Sequence, residues 1–228
     1  MPYKAKLPDA TGQIPYTADE DAVWRDLLDR QMPAVQHRMA QPYLQGLALL
    51  NLPQARVAQC TEVTQVLQAA TGWRVEPVPA LIGFGRFFRL LADRTFPAAS
   101  FIRRREDFDY IEEPDIFHEI FGHTPLLTDP RFAAFSQAIG LAGLRAERAD
   151  YAWLIRLYWF TIEFGLTREA GRLKGLGSGL ASSIAELEWA IAGQPALRRF
   201  DVIDILRTPY RIDILQPVYF VVDDLDDL

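Results

Sequence analysis

Apolar residues recur along most of this chain at three- and four-residue intervals, the period of helices with one face in a core. Thr17-Ala-Asp-Glu20 has the form of a capping box and predicts a helix running through Trp24, Leu27 and Leu28. A second helix is expected from Pro33 to about Leu50, before Asn51-Leu-Pro53. A third is expected from Val57 to Ala70, with Val63, Val66 and Leu67 on its apolar face and Gly72 after its end. Trp73 to Pro79 carries too much proline for a helix and reads as an extended connector or short strand. Phe87 to Ala92 predicts a short helix and Ala99 to Arg103 a strand. Helices follow at about Pro114–His123, Pro130–Leu141, Asp150–Thr167 and Ser178–Ala192. The tail from Tyr210 to Val222 alternates loosely, as a strand pair would, and the closing Asp-Asp-Leu-Asp-Asp-Leu reads as a solvated helix end.

No internal repeat and no Gly/Ser linker interrupts residues 20–228. The pattern therefore predicts a mainly α fold with a small β component, as a single domain over residues 21–228. Residues 1–20, punctuated by Pro2, Pro8, Gly12 and Pro15, read as a leader on the surface, partly flexible.

Composition narrows the function classes. The 228 residues are 50% hydrophobic and 24% charged, enough to bury a core without disulfides. A net charge of −6 and a pI near 5.1 give no general attraction to nucleic acid or anionic lipid. The single cysteine, Cys60, excludes a disulfide framework and any cysteine-rich zinc or iron–sulfur site, and suits a reducing compartment. The first twenty residues lack the apolar run of a secretory signal. The most apolar stretch, Trp153 to Phe164, is interrupted by Arg156 and falls well short of the roughly twenty residues that a bilayer span needs. A cytoplasmic globular protein is the expectation.

Of the three histidines, two fall in His118-Glu-Ile-Phe-Gly-His123, while His37 stands alone. Histidines four apart lie roughly 40° apart around an ideal α-helix and share a face, whereas five apart gives roughly 140°. Gly122 and Pro125 predict that the helix bends or ends here, which would let both imidazoles converge. Two buried, hydrogen-bonded histidines with no metal would read the same way. A third residue weighs towards a metal. Glu163 sits in Tyr158-Trp-Phe-Thr-Ile-Glu-Phe-Gly-Leu166 with no basic residue three or four positions away. A buried carboxylate must be protonated, paired or bound to metal. Two histidines and one carboxylate form the donor set of non-haem Fe(II) oxygenases, which leaves coordination positions open.

The run from Asp109 to Leu127 (DYIEEPDIFHEIFGHTPLL) resembles the pterin-dependent aromatic amino acid hydroxylases, and most of all their short bacterial phenylalanine-hydroxylating members. FAAFSQAIGL (Phe132–Leu141), YWFTIEFGL (Tyr158–Leu166), GSGLASSIAEL (Gly177–Leu187) and QPVY (Gln216–Tyr219) continue the likeness in order, over roughly residues 75–222. The resemblance implies the single-domain catalytic fold of that family. It also implies an Fe(II) held by His118, His123 and Glu163, with O2 and tetrahydrobiopterin or a related reduced pterin as cosubstrates.

The same resemblance implies that Arg103 clamps the amino acid carboxylate. A planar guanidinium can do so with two parallel hydrogen bonds. Gly179 and Ser182 complete the substrate pocket, with Ser182 adding a donor. Pro114, Trp159 and Phe164 line the place of the aromatic ring, and Asp115 orients a ligand histidine or Arg103. Glu119 reaches the pterin through water, and Phe87 stacks on it. Gly175-Leu-Gly-Ser-Gly179 is no dinucleotide fingerprint, because it lacks the preceding strand, the third glycine and the later ribose-binding acid.

Three positions depart from the family pattern. Ile111 stands where animal enzymes contact substrate through threonine, Gly83-Phe-Gly-Arg86 alters the pterin-side loop, and Leu176 replaces a frequent tyrosine. The expected reaction is L-phenylalanine to L-tyrosine, by a monomer whose partners are small molecules. The alternatives are hydroxylation of tryptophan, hydroxylation at another ring position of phenylalanine, and a non-catalytic amino-acid-binding relative. A zinc hydrolase with Glu119 as base is disfavoured by the extra residue between the histidines.

Overall fold

A computed structural model describes residues 3–79 and 81–228; Met1 and Pro2 of the expected leader lie outside the described residues. Helix α1 (Ala18–Arg38) opens at the expected capping box: Thr17 accepts from the Glu20 N–H, and Glu20 accepts from the Thr17 N–H. It does not stop at Pro33. The proline lies inside α1, and the chain breaks instead at Met39–Ala40, ahead of α2 (Gln41–Leu50). The buried stripe of Trp24, Leu27, Leu28, Ala34 and Val35 continues across the proline. Tertiary burial of that stripe outweighs the one hydrogen bond that Pro33 removes. The break is itself anchored, since the Ala40 N–H donates to Gly175 O at 2.8 Å.

Helix α3 (Cys60–Thr71) ends at Gly72, whose φ of +77° is the left-handed cap that its sequence position predicts. β1 (Arg74–Val78) confirms the extended reading of the proline-rich segment and pairs in parallel with β2 (Thr95–Ala99). The strand expected at Ala99–Arg103 thus lies four residues earlier. All five residues of β2 are buried, so it carries no alternation by which to set its ends. Ser100 to Arg103 instead runs on as buried chain beyond the strand, held by the Ser100 N–H to Val78 O at 3.1 Å, and meets the next helix, where the Ile116 N–H donates to Phe101 O at 2.8 Å.

Between the two strands lies α4 (Phe84–Ala92), which starts three residues earlier than expected and packs on α5 (Pro130–Arg145). The helix expected over Asp150–Thr167 is shorter. It comprises α6 (Tyr151–Tyr158) and a wide turn over Trp159–Glu163, and Leu166 and Thr167 belong to β3 (Leu166–Glu169). β4 (Arg172–Gly175) returns antiparallel to β3, so a strand does precede the Gly175–Gly179 run, contrary to expectation, though in a hairpin rather than a parallel crossover unit. The helix expected at Ser178–Ala192 is two helices, α7 (Ser178–Ser182) and α8 (Ile184–Ile191). They part at Ser183, whose extended backbone lets its hydroxyl accept from the Glu186 N–H at 3.3 Å.

β5 (Ala196–Arg199), α9 (Val202–Arg207) and β6 (Val218–Val222) complete the chain before a final capped turn at Leu225–Asp227. Of the expected tail strand pair only β6 forms. Its partners are remote, since it runs parallel to β3 on one side and β5 on the other, in a sheet of order β4-β3-β6-β5. Residues 3–17 run along the surface: Tyr3 stacks on Phe101 at 4.7 Å, and Lys6 and Tyr16 both bond to Ser100. Among the described residues, no helix is long and apolar enough to cross a membrane.

Candidate metal centre

The five-residue spacing of the two histidines is resolved by the backbone itself. His118–His123 is a π-helical turn. Its i→i+5 bonding widens the helix, so residues five apart come to lie on one side. The bend or ending expected at Gly122 and Pro125 is therefore replaced by a local widening, after which the chain continues through Thr124 and Pro125 into a 3₁₀ turn at Leu126–Thr128. The Nε2 atoms of His118 and His123 are 3.1 Å apart, with their rings nearly perpendicular at 87°.

Glu163 reaches the same point from a second π turn, Trp159–Glu163, where the Phe164 N–H donates to Trp159 O five residues back at 2.9 Å. Glu163 Oε1 lies 3.1 Å from His123 Nε2, and Oε2 lies 3.7 Å from His118 Nε2. One ligand atom from each of the three residues falls within 4.8 Å of the others, the one such group among the described residues.

The surrounding hydrogen bonds set the protonation of these groups. Ser182 Oγ donates its one proton to Ser178 O at 3.0 Å, so toward His118 Nδ1, at 2.8 Å, it can only accept. His118 then carries its proton on Nδ1 and presents the Nε2 lone pair to the cluster. Burial pushes His118 down to about 4, so it is neutral at pH 7. Burial alone would raise Glu163, but the neighbouring histidines and a hydrogen bond from Ser178 hold it down at about 2. A neutral imidazole and an ionised carboxylate are the forms that bind a divalent ion.

Two further polar groups face this point. Glu119 is 8% exposed, not the solvated helix residue its spacing also allows; it accepts from the Ala99 N–H at 3.4 Å and approaches His123 Nε2 at 3.9 Å. Burial first, and then the charge of Glu163, push its carboxyl well above the ordinary range. Tyr158 places its hydroxyl 3.4 Å from His123 Nδ1, and the Phe96 ring lies 4.6 Å from the same imidazole.

Arg103 and Asp115 form a buried bidentate pair at 2.8 and 2.9 Å. Asp115 also accepts from the backbone N–H groups of Arg103 and His118, at 3.0 and 3.1 Å. Asp115 thus bonds the Arg103 side chain, and it meets His118 at the backbone rather than at the imidazole. Arg103 commits the Nε and Nη2 edge of its guanidinium to Asp115, while Nη1 makes no hydrogen bond among the described residues.

Trp159 and Phe164 flank the second π turn, with ring centroids 4.6 Å apart. The Trp159 indole donates to Gln216 Oε1 at 3.0 Å and stacks on Tyr210. Gly179 packs flat against Phe164, where a Cβ would sit 2.6 Å from the ring carbons. Phe87 on α4 lies edge-on to Tyr158, with ring centroids 5.2 Å apart. Ile111 and Pro114 lie half-buried on the loop leading to Ile116. Tyr158 and Ser178 escaped the sequence reading. Tyr158 stands five residues before Glu163, repeating the histidine spacing, and Ser178 stands four before Ser182, on the same helical side.

A family model described as biopterin-dependent aromatic amino acid hydroxylase matches residues 1–228. The phenylalanine-4-hydroxylase of Vibrio cholerae is 51% identical over 227 residues, which is 99% of this chain and 78% of that protein. The apo structure of the cold-active phenylalanine hydroxylase from Colwellia psychrerythraea 34H superposes with a TM-score of 0.96 at 48% identity, covering 99% of this chain and 87% of that one. The Chromobacterium violaceum phenylalanine hydroxylase with bound iron(III) and oxidised 7,8-dihydrobiopterin superposes with a TM-score of 0.91 at 37% identity, over 96% of this chain and 83% of that one.

Proposed function

The chain belongs to the biopterin-dependent aromatic amino acid hydroxylases, and on that premise we propose that it is an iron- and reduced-pterin-dependent monooxygenase converting L-phenylalanine to L-tyrosine. The observation that carries this reading is the convergence of His118, His123 and Glu163 from two π turns, in the protonation states a divalent ion needs. Bound iron, with the reduced pterin, supplies the activation of dioxygen that ring hydroxylation requires. Three protein ligands leave coordination positions free for it.

The remaining residues bind, orient and exclude water. Asp115 holds the Arg103 guanidinium rigid by one edge, and the edge at Nη1 takes the carboxylate of the amino acid. Ser182 has no proton left for that carboxylate, so its work is on His118, fixing the tautomer that turns Nε2 toward the metal. Trp159 and Phe164, with Pro114, Ile111 and the bare backbone of Gly179, wall the aromatic ring. Gln216 locks the Trp159 indole in place. Phe87 and Glu119 face the pterin. Burial pushes the Glu119 carboxyl upward in the metal-free centre, and the side chain reaches the pterin through water.

The same reading takes residues 21–228 as the catalytic domain behind the leader of residues 1–20. It takes the protein as a cytoplasmic monomer, for which sedimentation should return the 25.9 kDa of one chain. The activity is tested by loading the protein anaerobically with Fe(II), then adding O2, a reduced pterin and each aromatic amino acid in turn. Phenylalanine should gain one oxygen atom and co-elute with tyrosine. Oxidation of the pterin with no oxygen gained by any amino acid would overturn the assignment.

A further inference from the structure

The wall of the aromatic-ring pocket is anchored from outside the pocket. Residues 208–217 join α9 to β6, and every residue from Arg211 to Leu215 is exposed. Gln216, which follows them, is 2% exposed. Its Nε2 donates to Arg211 O at 2.8 Å and to Ile214 O at 3.1 Å, which folds the exposed loop back on itself. Its backbone N–H donates to Glu186 Oε1 at 2.8 Å, and its carbonyl accepts from the Trp189 indole at 2.9 Å, both partners lying on α8. Oε1 is left for the Trp159 indole, at 3.0 Å. Chemistry fixes the orientation of this amide. Backbone carbonyls only accept and an indole N–H only donates, so a flipped amide would lose all of its side-chain bonds.

Elsewhere Trp159 is held by rings. Tyr210, from the same loop, stacks on it with centroids 4.4 Å and planes 21° apart, and Phe164 lies against it at 4.6 Å and 46°. Apolar contact of this kind is non-directional, so it keeps the indole between its neighbours without stopping it from sliding in its own plane. The bond from its N–H to Gln216 is directional, and it supplies the stop.

We propose that Gln216 is a positioning residue that sets the selectivity of the ring pocket by pinning the Trp159 indole through its N–H. The pinned indole fixes the depth open to the substrate's side chain, and a released indole yields room for a bicyclic ring. An apolar pocket sorts its substrates by size, so its discrimination is only as good as the rigidity of its walls. This rests on the hydroxylase reading and on Trp159 as a wall of the pocket, and the test separates the two failures.

Iron-loaded enzyme is given O2, a reduced pterin and an equimolar mixture of phenylalanine and tryptophan, and the oxygenated products are counted by mass. The split between two products of one mixture does not depend on how much of the enzyme is active, so a partly unfolded variant still answers. Wild type should oxygenate phenylalanine; if it oxygenates neither amino acid, the hydroxylase reading falls and the proposal with it. In Gln216→Met, which keeps the length of the side chain without its hydrogen bonds, the share of oxygen delivered to tryptophan should rise by about tenfold, the lower end of what a small difference in size is worth to an apolar pocket. Trp159→Phe has no N–H to pin and leaves the loop bonds of Gln216 in place, and it should raise that share as well. Adding Gln216→Met to Trp159→Phe should then change the share by no more than about twofold, because the two changes remove the same bond. An unchanged share in either single variant would overturn the proposal. A further rise in the double variant equal to that of Gln216→Met alone would assign the effect to the fold of the loop, and would overturn it as well.

Discussion

Helix α1 and the two π turns are built by opposite rules. In α1, 21 residues obey local preference nearly throughout: a capping box at the start, acidic residues in the first turn, basic ones in the last, and one buried apolar stripe. The π turns break the helical ladder within six and five residues, and they bring ionisable groups inward. His123 and Glu119 are buried in the first, and Glu163 lies at the end of the second. An element that has only to cover a core can satisfy every local rule at once. An element that must bring three polar atoms to one point has to abandon the 3.6-residue period, and the surrounding packing must hold it there.

The sharpest way to break this comparison is Glu163→Ala. If the π turns exist to assemble a metal centre, this change should abolish metal binding and reduce product formation to background, beyond the 10- to 100-fold typical of losing a supporting residue. The metal-free variant should melt below metal-free wild type, because the Glu163 carboxyl is held down at about 2 by the neighbouring histidines and Ser178, and a carboxyl depressed on folding stabilises the native state at pH 7. Metal titration and calorimetry of the same samples check both halves. Undiminished turnover would mean that the second π turn serves only packing.

That contrast also explains what could be read in advance. The start of α1, the end of α3, the extended segment before α4 and the start of α5 all follow from caps, glycine, proline and period, because each of these features answers to local chemistry, whereas α5 runs four residues past the expected Leu141, to Arg145. The passage of α1 through Pro33 was not legible, since it depends on a stripe buried against other parts of the chain. The same holds for β5 and β6, whose partners are distant in sequence. At the site, the donor types were readable from His118, His123 and Glu163, whereas the geometry was not. The spacing in HExxxH signalled some distortion, and only the structure identifies it as a widened turn rather than a bend at Gly122. The burial of Glu119 was not legible because nothing local marks it, nor were the contacts of Ser178, because a serine is unremarkable until its neighbours are known.

A second perturbation targets the buried polar frame that the π turns need and α1 does not. Asp115 is completely buried and accepts four hydrogen bonds, three from Arg103 and one from the His118 N–H. Asp115→Asn leaves the Arg103 charge buried without its partner, which costs about 3–5 kcal/mol in such pairs. Urea denaturation should show that loss, together with a raised KM for the amino acid. The pH dependence follows from the same pair. Burial acts to raise the Asp115 carboxyl, but the charge and hydrogen bonds of Arg103 hold it below its ordinary 3.8. A carboxyl depressed on folding stabilises the native state above its unfolded value, and that stability is lost as pH falls through the lower folded value. The gap between wild type and Asp115→Asn should therefore be full near pH 7 and close only in acid below about 3.8.

The smallest effect tests the opposite side of the comparison. Thr17 accepts the Glu20 N–H at 3.3 Å and Glu20 accepts the Thr17 N–H at 2.7 Å, so Thr17→Ala removes half of a reciprocal cap at an exposed helix end. The N-terminal amides regain water, and the cost should be about 1 kcal/mol. Because α1 obeys local rules, that cost should stay local: the urea midpoint should fall slightly while metal affinity, KM and turnover remain at wild-type values. The centre lies on other elements, and α1 reaches it only through packed contacts such as Gln31 with Ala181 O at 2.9 Å. A change in metal affinity on removing this cap would mean that the regular and irregular halves of the molecule are not separable, and that the π turns are held in place by the register of α1 as well as by their own polar frame.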